Sequence, residues 1–234
     1  MFRSLIFLLT LLPIWMYAQP SDTLWVNQAI AHAQGVYNEH IKGESLLYSG
    51  TDFKKYIPIG DEFPYYLSDD WIEGTLVYDD QRYNNIWLYY DLSIDQVLVE
   101  NYNFANTIQL VKERVHEFTL ENHRFVNLMY LSNEPGFYEV LYEGKTKVYA
   151  RHSKSFQSEI RFGELVNKFV KKTSYYILKE NEFIPVSNKA SVLQVFSDRK
   201  KEVNQAFRKY NLSFSDNKVQ SLALMAEIYD QLKP

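Results

Sequence analysis

WIEGTLVYDDQRYNNIWLYYDLSIDQVLVE, residues 71–100, is the stretch that decides the fold class. Its runs at 75–78, 86–90 and 96–99 are rich in β-branched and aromatic residues, which are typical of β-strands. Aspartates break these runs, and their side chains favour turns because they hydrogen-bond the local backbone. Connections this short suit antiparallel neighbours, so the stretch predicts a three-stranded β-meander.

The middle run, residues 86–90, consists of five consecutive apolar or aromatic side chains and therefore has no polar face. A strand of this kind is usually covered on both sides, which predicts a central position in its sheet. Another part of the chain must then provide the cover. Helices predicted near both ends of the chain are the available candidates.

The first 18 residues have the pattern of a secretory signal peptide. Arg3 supplies the positive charge, an apolar run follows at 5–15, and Ala18 fits a cleavage site. The run is short for a membrane span, although a retained N-terminal anchor is the alternative. We therefore expect an exported protein whose mature chain, residues 19–234, is a single β-rich domain without a transmembrane span.

The chain contains no cysteine, which excludes disulfides, thiolate metal sites and a cysteine nucleophile. A chain of this length can bury a sizeable core without disulfides. Export without cysteines favours the envelope of a Gram-negative bacterium, where the protein would be periplasmic or associated with the outer membrane. A net charge of −4 argues against nucleic-acid binding.

Helical and extended patterns divide the rest of the chain. Apolar spacing typical of helices predicts a helix at 21–42 and a helical C-terminal segment at 187–234. Alternating runs between them predict further strands, whereas 153–172 is ambiguous and 162–170 fits a short amphipathic helix. The prediction is an α+β fold: a curved antiparallel β-meander of about seven to ten strands, with N-terminal and C-terminal helices packed on it. A partly open barrel is the alternative.

A distinctive order of short motifs runs along nearly the whole mature chain. It comprises Leu47-Tyr48-Ser49-Gly50, Pro64-Tyr65-Tyr66, Trp71 with Gly74 and Tyr78, Tyr83-Asn84-Asn85-Ile86, Tyr90-Asp91 with Asp95, Gly136-Phe137-Tyr138, Leu141-Tyr142-Glu143-Gly144, Ser191-Val192-Leu193 and Asp198-Arg199-Lys200-Lys201. These motifs resemble a group of uncharacterised exported proteins of Gram-negative bacteria. No activity is established for that group, so the resemblance implies the compartment and a single-domain architecture, and no catalytic residue.

The five histidines do not form a recognised metal-binding motif. There is no HExxH, and a zinc site needs three or four convergent ligands. His116 and His123 flank a turn near Glu117, which leaves a metal site as one hypothesis and two surface histidines as the other. Phosphate-cradling loops and GxSxG are also absent, so the sequence predicts no metal and no cofactor.

Acidic residues cluster around the meander, including Asp79, Asp80, Asp91 and Asp95. Two carboxyl groups roughly 5–10 Å apart can hydrolyse a glycosidic bond if one of them is desolvated. A secreted carboxylate-dependent hydrolase is therefore the alternative functional hypothesis. The favoured interpretation is that these acids are turn residues, because aspartate is expected at turns for backbone reasons.

Aromatic residues are abundant, with 19 tyrosines and 15 phenylalanines. Their amphipathic rings suit a sugar-binding surface and a covered sheet face alike. Trp71, Tyr83, Trp87 and Tyr89 are the candidate ligand-binding residues. The predicted function is a non-enzymatic ligand- or partner-binding module of the cell envelope, and its partner would be an envelope protein, a lipid or a glycan.

Charge is unevenly distributed along the chain. Residues 52–143 contain 17 acidic and 6 basic side chains, whereas residues 145–172 contain 8 basic and 2 acidic ones. One interpretation is that neighbouring strands and helices complement each other internally. The other is a polarised surface that binds a partner or lipid head groups.

Overall fold

A computed structural model describes residues 46–54, 63–101, 106–129, 134–161 and 164–232, and residues 25, 26, 28–30, 32, 33 and 36. The chain divides into two compact units, Met1–His40 and Ile41–Pro234. The described residues of the first unit are helical, in agreement with the helix predicted at 21–42. The predicted signal peptide lies outside the described residues. Among the residues described, no helix is both long and apolar enough to span a membrane.

The second unit contains an open antiparallel sheet of eleven strands. This confirms a β-rich α+β fold, with more strands than predicted. The strands are β1 (Thr51–Phe53), β2 (Ile72–Tyr78), β3 (Gln81–Asp91), β4 (Gln96–Glu100), β5 (Thr107–Gln109), β6 (Val115–Leu120), β7 (His123–Asn127), β8 (Phe137–Glu143), β9 (Lys147–Arg161), β10 (Glu164–Lys179) and β11 (Glu182–Val186). Their order across the sheet is β1-β5-β4-β3-β2-β6-β7-β8-β9-β10-β11.

β2, β3 and β4 are consecutive antiparallel neighbours and confirm the predicted meander. Tyr78 pairs with Gln81, so Asp79 and Asp80 form a two-residue hairpin loop, with positive φ angles of 49° and 61°. Two positive φ angles are typical of a type I′ turn, whose twist matches that of the flanking strands. Aspartate tolerates this backbone conformation better than most residues, although glycine adopts it with less strain.

Residues 88–90 of β3 are buried on both faces, as predicted for a central strand. On the inner face, the Tyr90 ring lies 5.2 Å from Phe118, 5.2 Å from Phe125 and 5.8 Å from Phe137, measured between ring centroids. These partners belong to β6, β7 and β8, so the sheet curls strongly enough to cover its own inner face. The C-terminal helices share their buried cluster with β9, β10 and β11 and do not provide this cover, whereas a cover by the N-terminal helix stays a prediction.

Further contacts tie β9 to the end of β3. The Lys154 amide donates a hydrogen bond to the carbonyl of Leu92 at 3.1 Å. The Lys154 ammonium donates to the carbonyls of Phe63 and Tyr65 at 2.8 and 2.9 Å. Tyr65 also forms an isolated β-bridge with Asp91. The strands from β3 to β9 thus curve around one aromatic core, although the sheet as a whole remains open.

The pairing of β2 with β6 is a seam between strands that are distant in sequence. The Thr75 amide donates to Thr119 Oγ1 at 3.0 Å, and the two hydroxyls share a hydrogen bond of 2.9 Å. Gly74 lies beside this pair, and a Cβ added there would overlap the carbonyl oxygen of Thr119. The close approach of the two backbones explains why glycine occupies this position.

The segment after residue 187 is helical, as predicted. Asn188 caps the first helix by accepting a hydrogen bond from the Ser191 amide at 2.9 Å. Side chains from the helices share a buried cluster with Val148, Ile177 and Val186 of β9, β10 and β11. The packing of the N-terminal helix on the sheet stays a prediction. The C-terminal helices are α1 (Lys189–Val195), α2 (Lys200–Arg208) and α3 (Lys218–Leu232).

β9 and β10 form a long hairpin of 15 and 16 residues, which we call the ribbon. The short helix predicted at 162–170 is therefore wrong where the structure describes that stretch, at 164–170. β8 pairs with β9 only as far as Ala150, and β11 pairs with β10 only from Tyr175 onward. Among the described residues, 151–161 and 164–174 thus form ladder pairs only with each other, apart from the hydrogen bond between Lys154 and Leu92. Cross-strand pairing, which is invisible to local spacing, decides the conformation of this stretch.

Candidate functional site

The four aromatic residues predicted to bind a ligand lie on two faces of the sheet. Asn85, at a φ of 54°, marks a bulge at which β3 gains one residue relative to β2. Tyr83, on one side of this bulge, is buried in the inner core, and its hydroxyl donates to Gln81 Oε1 at 2.8 Å. Trp87 and Tyr89, on the other side of the bulge, lie on the outer face. The structure therefore separates Tyr83 from the other candidates.

Trp71 and Tyr89 lie in contact on the outer face. Their ring centroids are 4.0 Å apart, and Tyr65 stacks on Tyr89 at 4.2 Å. The Tyr89 hydroxyl donates to the carbonyl of Asp69, which holds the preceding loop against the sheet. Tyr65 and Tyr89 are buried, whereas Trp71 is half-buried. The two tyrosines thus form a support on which the Trp71 ring rests.

Trp87 lies on the same outer face and is 44% exposed. It pairs in the sheet register with Glu73, whose side chain is also exposed. Trp71 directly precedes Ile72, which pairs with Leu88, so a continued register places Trp71 diagonally from Trp87, at roughly 7–8 Å. We call the surface formed by Trp71, Glu73 and Trp87 the aromatic patch. As ligand-binding residues, Trp71, Tyr83, Trp87 and Tyr89 remain predictions.

Asp79 and Asp80 occupy the hairpin loop predicted for them. The Arg114 guanidinium donates to Asp79 Oδ1 at 2.7 Å and also forms an ion pair with this carboxylate. Asp80 is 91% exposed, and His116 lies 3.7 Å from its Oδ1. Asp79 is thus held by Arg114, whereas Asp80 is exposed to solvent.

The side chains of Asp91 and Asp95 are largely shielded from solvent. Asp91 is fully buried at the end of β3, and its Oδ1 accepts from the amide and hydroxyl of Ser93 at 2.8 and 2.6 Å. Asp95 accepts from the Tyr90 hydroxyl at 2.7 Å and the Lys112 ammonium at 2.5 Å. Asp91 thus acts as a turn residue, as the sequence indicated, and its carboxylate is in addition fully buried.

The four aspartates have no hydrogen-bond partner in common in the part of the chain that the structure describes. Each of Asp79, Asp91 and Asp95 has a different partner, and Asp80 is exposed. A pair of carboxyl groups for glycoside hydrolysis requires two acids directed at one bond. The arrangement gives the hydrolase hypothesis no support.

A buried network that the sequence did not predict joins β7, β8, β9 and β10. Glu139 Oε1 lies 2.5 Å from His123 Nδ1, and its Oε2 lies 2.7 Å from His152 Nε2. His152 Nδ1 lies 3.0 Å from the hydroxyl of Thr173. The ring of Tyr66 packs on both imidazoles, at centroid distances of 5.4 and 5.2 Å. We call Glu139, His123, His152 and Thr173 the buried network.

The electrostatics of the buried network favour an ionised carboxylate. Burial by itself would raise the pKa of Glu139, but hydrogen bonds from His152 and His123 outweigh it and lower that pKa. Burial, reinforced by the negative charge of Glu139, raises the pKa of the Tyr66 phenol. A neutral tyrosine thus lies against a charged glutamate, and both imidazoles donate to that glutamate.

The two histidines considered for a metal site lie apart in the structure. His116 faces Asp80, whereas His123 belongs to the buried network with Glu139. Among the described residues, no group of three or more histidine, aspartate or glutamate side chains is arranged to hold a metal ion. His123 and Glu139 instead satisfy each other by hydrogen bonding.

Several basic side chains between 145 and 172 are neutralised within the protein. Lys147 pairs with Glu143 at 3.2 Å, and Lys168 pairs with Glu159 at 3.0 Å. Arg151 pairs with Glu134 at 2.7 Å. These pairs favour internal complementarity as the explanation of the uneven charge distribution.

Comparisons of the chain with protein-family models, with curated proteins and with solved structures gave no match. One local signal could have revealed part of the buried network. Glu139 and His152 lie on consecutive strands joined by the turn at 144–146, so the register of that hairpin brings them close together.

Proposed function

We propose that this chain is an exported cell-envelope protein that binds a glycan and does not transform it chemically. The observation that carries the proposal is the contact between Trp71 and Tyr89, beside the exposed Trp87 on the same face. The signal-peptide pattern at 1–18 and the lack of cysteine support export to the envelope. The resemblance to exported Gram-negative proteins supports the same compartment.

The chemistry of the aromatic patch suits a sugar. Indole rings offer large apolar faces that can pack on the C–H face of a pyranose while their edges remain in water. Glu73 lies opposite Trp87, and the carboxylates of Asp69 and Asp70 are exposed near Trp71. Ionised carboxylates accept strong hydrogen bonds, and sugar hydroxyl groups can donate them. A surface with both features can recognise a neutral oligosaccharide.

Tyr89 and Tyr65 beneath Trp71 fix the position of its ring before a ligand binds. The Trp71 ring is held by Tyr89, and Tyr89 is held by Tyr65 and by the carbonyl of Asp69. A ring that is already fixed loses little conformational entropy when a ligand packs on it. Trp71 would therefore supply a rigid part of the binding surface, and the more exposed Trp87 an adaptable part.

A calorimetric titration tests the proposal. The full chain would be titrated with chitotetraose, maltotetraose and soluble peptidoglycan fragments, and tryptophan fluorescence would be recorded in parallel. We expect one of these glycans to bind and Trp87→Ala to weaken its affinity about tenfold. Tyr210→Ala is the matched control, because Tyr210 is an exposed aromatic residue after α2.

The proposal fails if none of these glycans binds, or if Trp87→Ala and Tyr210→Ala retain equal affinity. Glu73→Gln provides a second variant that keeps the side-chain volume, and it should weaken binding without quenching the tryptophan signal. Export is tested separately by determining the N-terminus of the protein recovered from cell fractions. Cleavage after Ala18 supports envelope localisation, whereas an uncleaved cytoplasmic protein contradicts it.

A further inference from the structure

A cleft of about 400 Å³ lies between β10, β11 and the beginning of α3. Sites for small molecules typically have volumes of roughly 300–1,000 Å³, so the cleft can hold a ligand the size of a monosaccharide. It is separate from the aromatic patch, which lies on β2 and β3. Its lining includes Thr173, Tyr175, Val186, Ser187 and Lys218.

Lys218 is the charged side chain of this lining. Its ammonium lies 5.0 Å from the centre of the Tyr175 ring, which holds it at the wall of the cleft. Among the residues that the structure describes, Lys218 forms no salt bridge with a carboxylate. An ammonium group without a counter-charge favours an anion in the cleft.

Thr173 connects the cleft with the buried network. Its hydroxyl lies 3.0 Å from His152 Nδ1, while His152 Nε2 faces Glu139 at 2.7 Å. A carboxylate can only accept, so His152 Nε2 carries the proton that it donates to Glu139. The hydrogen bond between Nδ1 and the Thr173 hydroxyl runs in either direction, depending on whether Nδ1 carries a proton. The Thr173 oxygen has two lone pairs, so it can accept a hydrogen bond from a ligand whichever way the bond to His152 runs.

The other walls of the cleft supply an apolar surface and further hydroxyl groups. Tyr175 and Val186 pair in the register of β10 and β11, and the partly buried Tyr175 packs against the buried cluster beneath the C-terminal helices, to which Val186 belongs. Ser187 follows at the end of β11. A ligand would thus meet a positive charge at Lys218, an acceptor at Thr173 and an apolar wall between them.

We propose that this cleft binds a small carboxylate that also carries hydroxyl groups, of which a sugar acid is the simplest kind. The carboxylate lies at the Lys218 ammonium, and a ligand hydroxyl donates to Thr173. The apolar C–H face of the ligand packs on Tyr175 and Val186. This second site is independent of the glycan-binding aromatic patch.

The experiment compares three probes that separate these features. Glucuronate has both the carboxylate and the hydroxyl groups, glucose lacks the carboxylate, and acetate lacks the hydroxyl groups. Each would be titrated into the full chain by calorimetry at low ionic strength, where charge interactions are least screened. We expect glucuronate to bind at least about tenfold more tightly than glucose and acetate.

Two variants assign the binding to the cleft. Lys218→Gln should weaken glucuronate binding about tenfold, whereas Lys201→Gln, which removes an exposed lysine on α2, should not. Thr173→Val keeps the side-chain shape and should weaken glucuronate binding while leaving acetate binding unchanged. Circular dichroism and melting temperature would verify that each variant is folded.

Three results would overturn the proposal. The first is the absence of glucuronate binding, and the second is equal binding of glucuronate and glucose. The third is an unchanged affinity in Lys218→Gln. A loss of glucuronate binding in Trp87→Ala, with Lys218→Gln unaffected, would place the ligand on the aromatic patch and equally refute a site in the cleft.

Discussion

Thr146 and Asp230 are 84 positions apart in the chain, yet the Asp230 carboxylate accepts two hydrogen bonds from Thr146. The Thr146 amide donates at 3.0 Å and its hydroxyl at 2.7 Å. The Tyr142 hydroxyl donates to the same carboxylate at 3.1 Å. Asp230 belongs to α3, whereas the donors lie in the β8–β9 hairpin. One side chain therefore fastens the last helix to the sheet.

Replacing this carboxylate should loosen the attachment of α3. Asp230→Ala leaves the Thr146 amide and hydroxyl without their acceptor, which should lower the free energy of unfolding by about 1–3 kcal/mol. Urea denaturation followed by circular dichroism measures the change. Glu227→Ala is the matched control, because Glu227 is an exposed acid on the same helix. Equal losses in both variants would contradict a specific attachment.

The same carboxylate affects the titration of Tyr142. Burial and the hydrogen bond to Asp230 raise the pKa of Tyr142 from 10.0 to about 12. Because the folded protein holds this proton more tightly than the unfolded chain, the contribution to stability is complete below pH 10.0 and is lost as the pH rises towards about 12. The difference in tyrosinate absorbance between the wild type and Tyr142→Phe should therefore titrate above the ordinary range. A difference curve centred near 10.0 would contradict this prediction.

Glu139→Gln should destabilise the protein through the buried network. The amide replaces a charged acceptor of two histidine hydrogen bonds, so we expect a loss of about 2–4 kcal/mol at neutral pH. The lowered pKa of Glu139 means that its contribution is present above the unfolded value of 4.5 and disappears as the pH falls through the folded value. The difference in the free energy of unfolding between the wild type and Glu139→Gln should thus become smaller at acidic pH. Glu121→Gln, at an exposed turn, serves as the control.

Asp80→Gly should stabilise the β2–β3 hairpin. Asp80 has a φ of 61° and an exposed side chain, so glycine would relieve strain without removing a buried contact. We expect a gain of about 0.5–1 kcal/mol, observed as a higher denaturation midpoint. Asp79→Gly makes the same backbone change but removes the partner of Arg114, so it should give no gain. A stabilisation of equal size in both variants would show that the ion pair is irrelevant.

The meander was predictable because its signals are local. Apolar runs are separated by acidic turns, and the pairing of Tyr78 with Gln81 follows from the Asp79-Asp80 loop. The ribbon was not predictable from spacing, since Phe169 and its neighbours also fit a helical stripe. The ring centroids of Phe156 and Phe169 lie 5.5 Å apart across the ribbon. This contact and the long pairing register around it favour strands over a helix.

The candidate sites were predictable only in part, because some of their contacts join residues that are far apart in the sequence. Trp71 and Tyr89 meet because β2 and β3 are consecutive, whereas the bulge at Asn85 that separates Tyr83 from them has no clear sequence signal. The burial of Asp91 depends on its bridge to Tyr65, a residue in a distant loop. Contacts that depend on curling of the whole sheet are not encoded in short-range periodicity.

The seam between β2 and β6 has a consequence for the order of folding. From β2 to β5 and from β6 to β11, each strand pairs with the next strand along the chain. Such hairpins can close rapidly, whereas Thr75 must find Thr119 across 44 positions. Until the two meet, β2 and β6 each present an unpaired edge that another chain could occupy. Refolding rate and the tendency to aggregate should therefore both depend on how quickly this ladder closes.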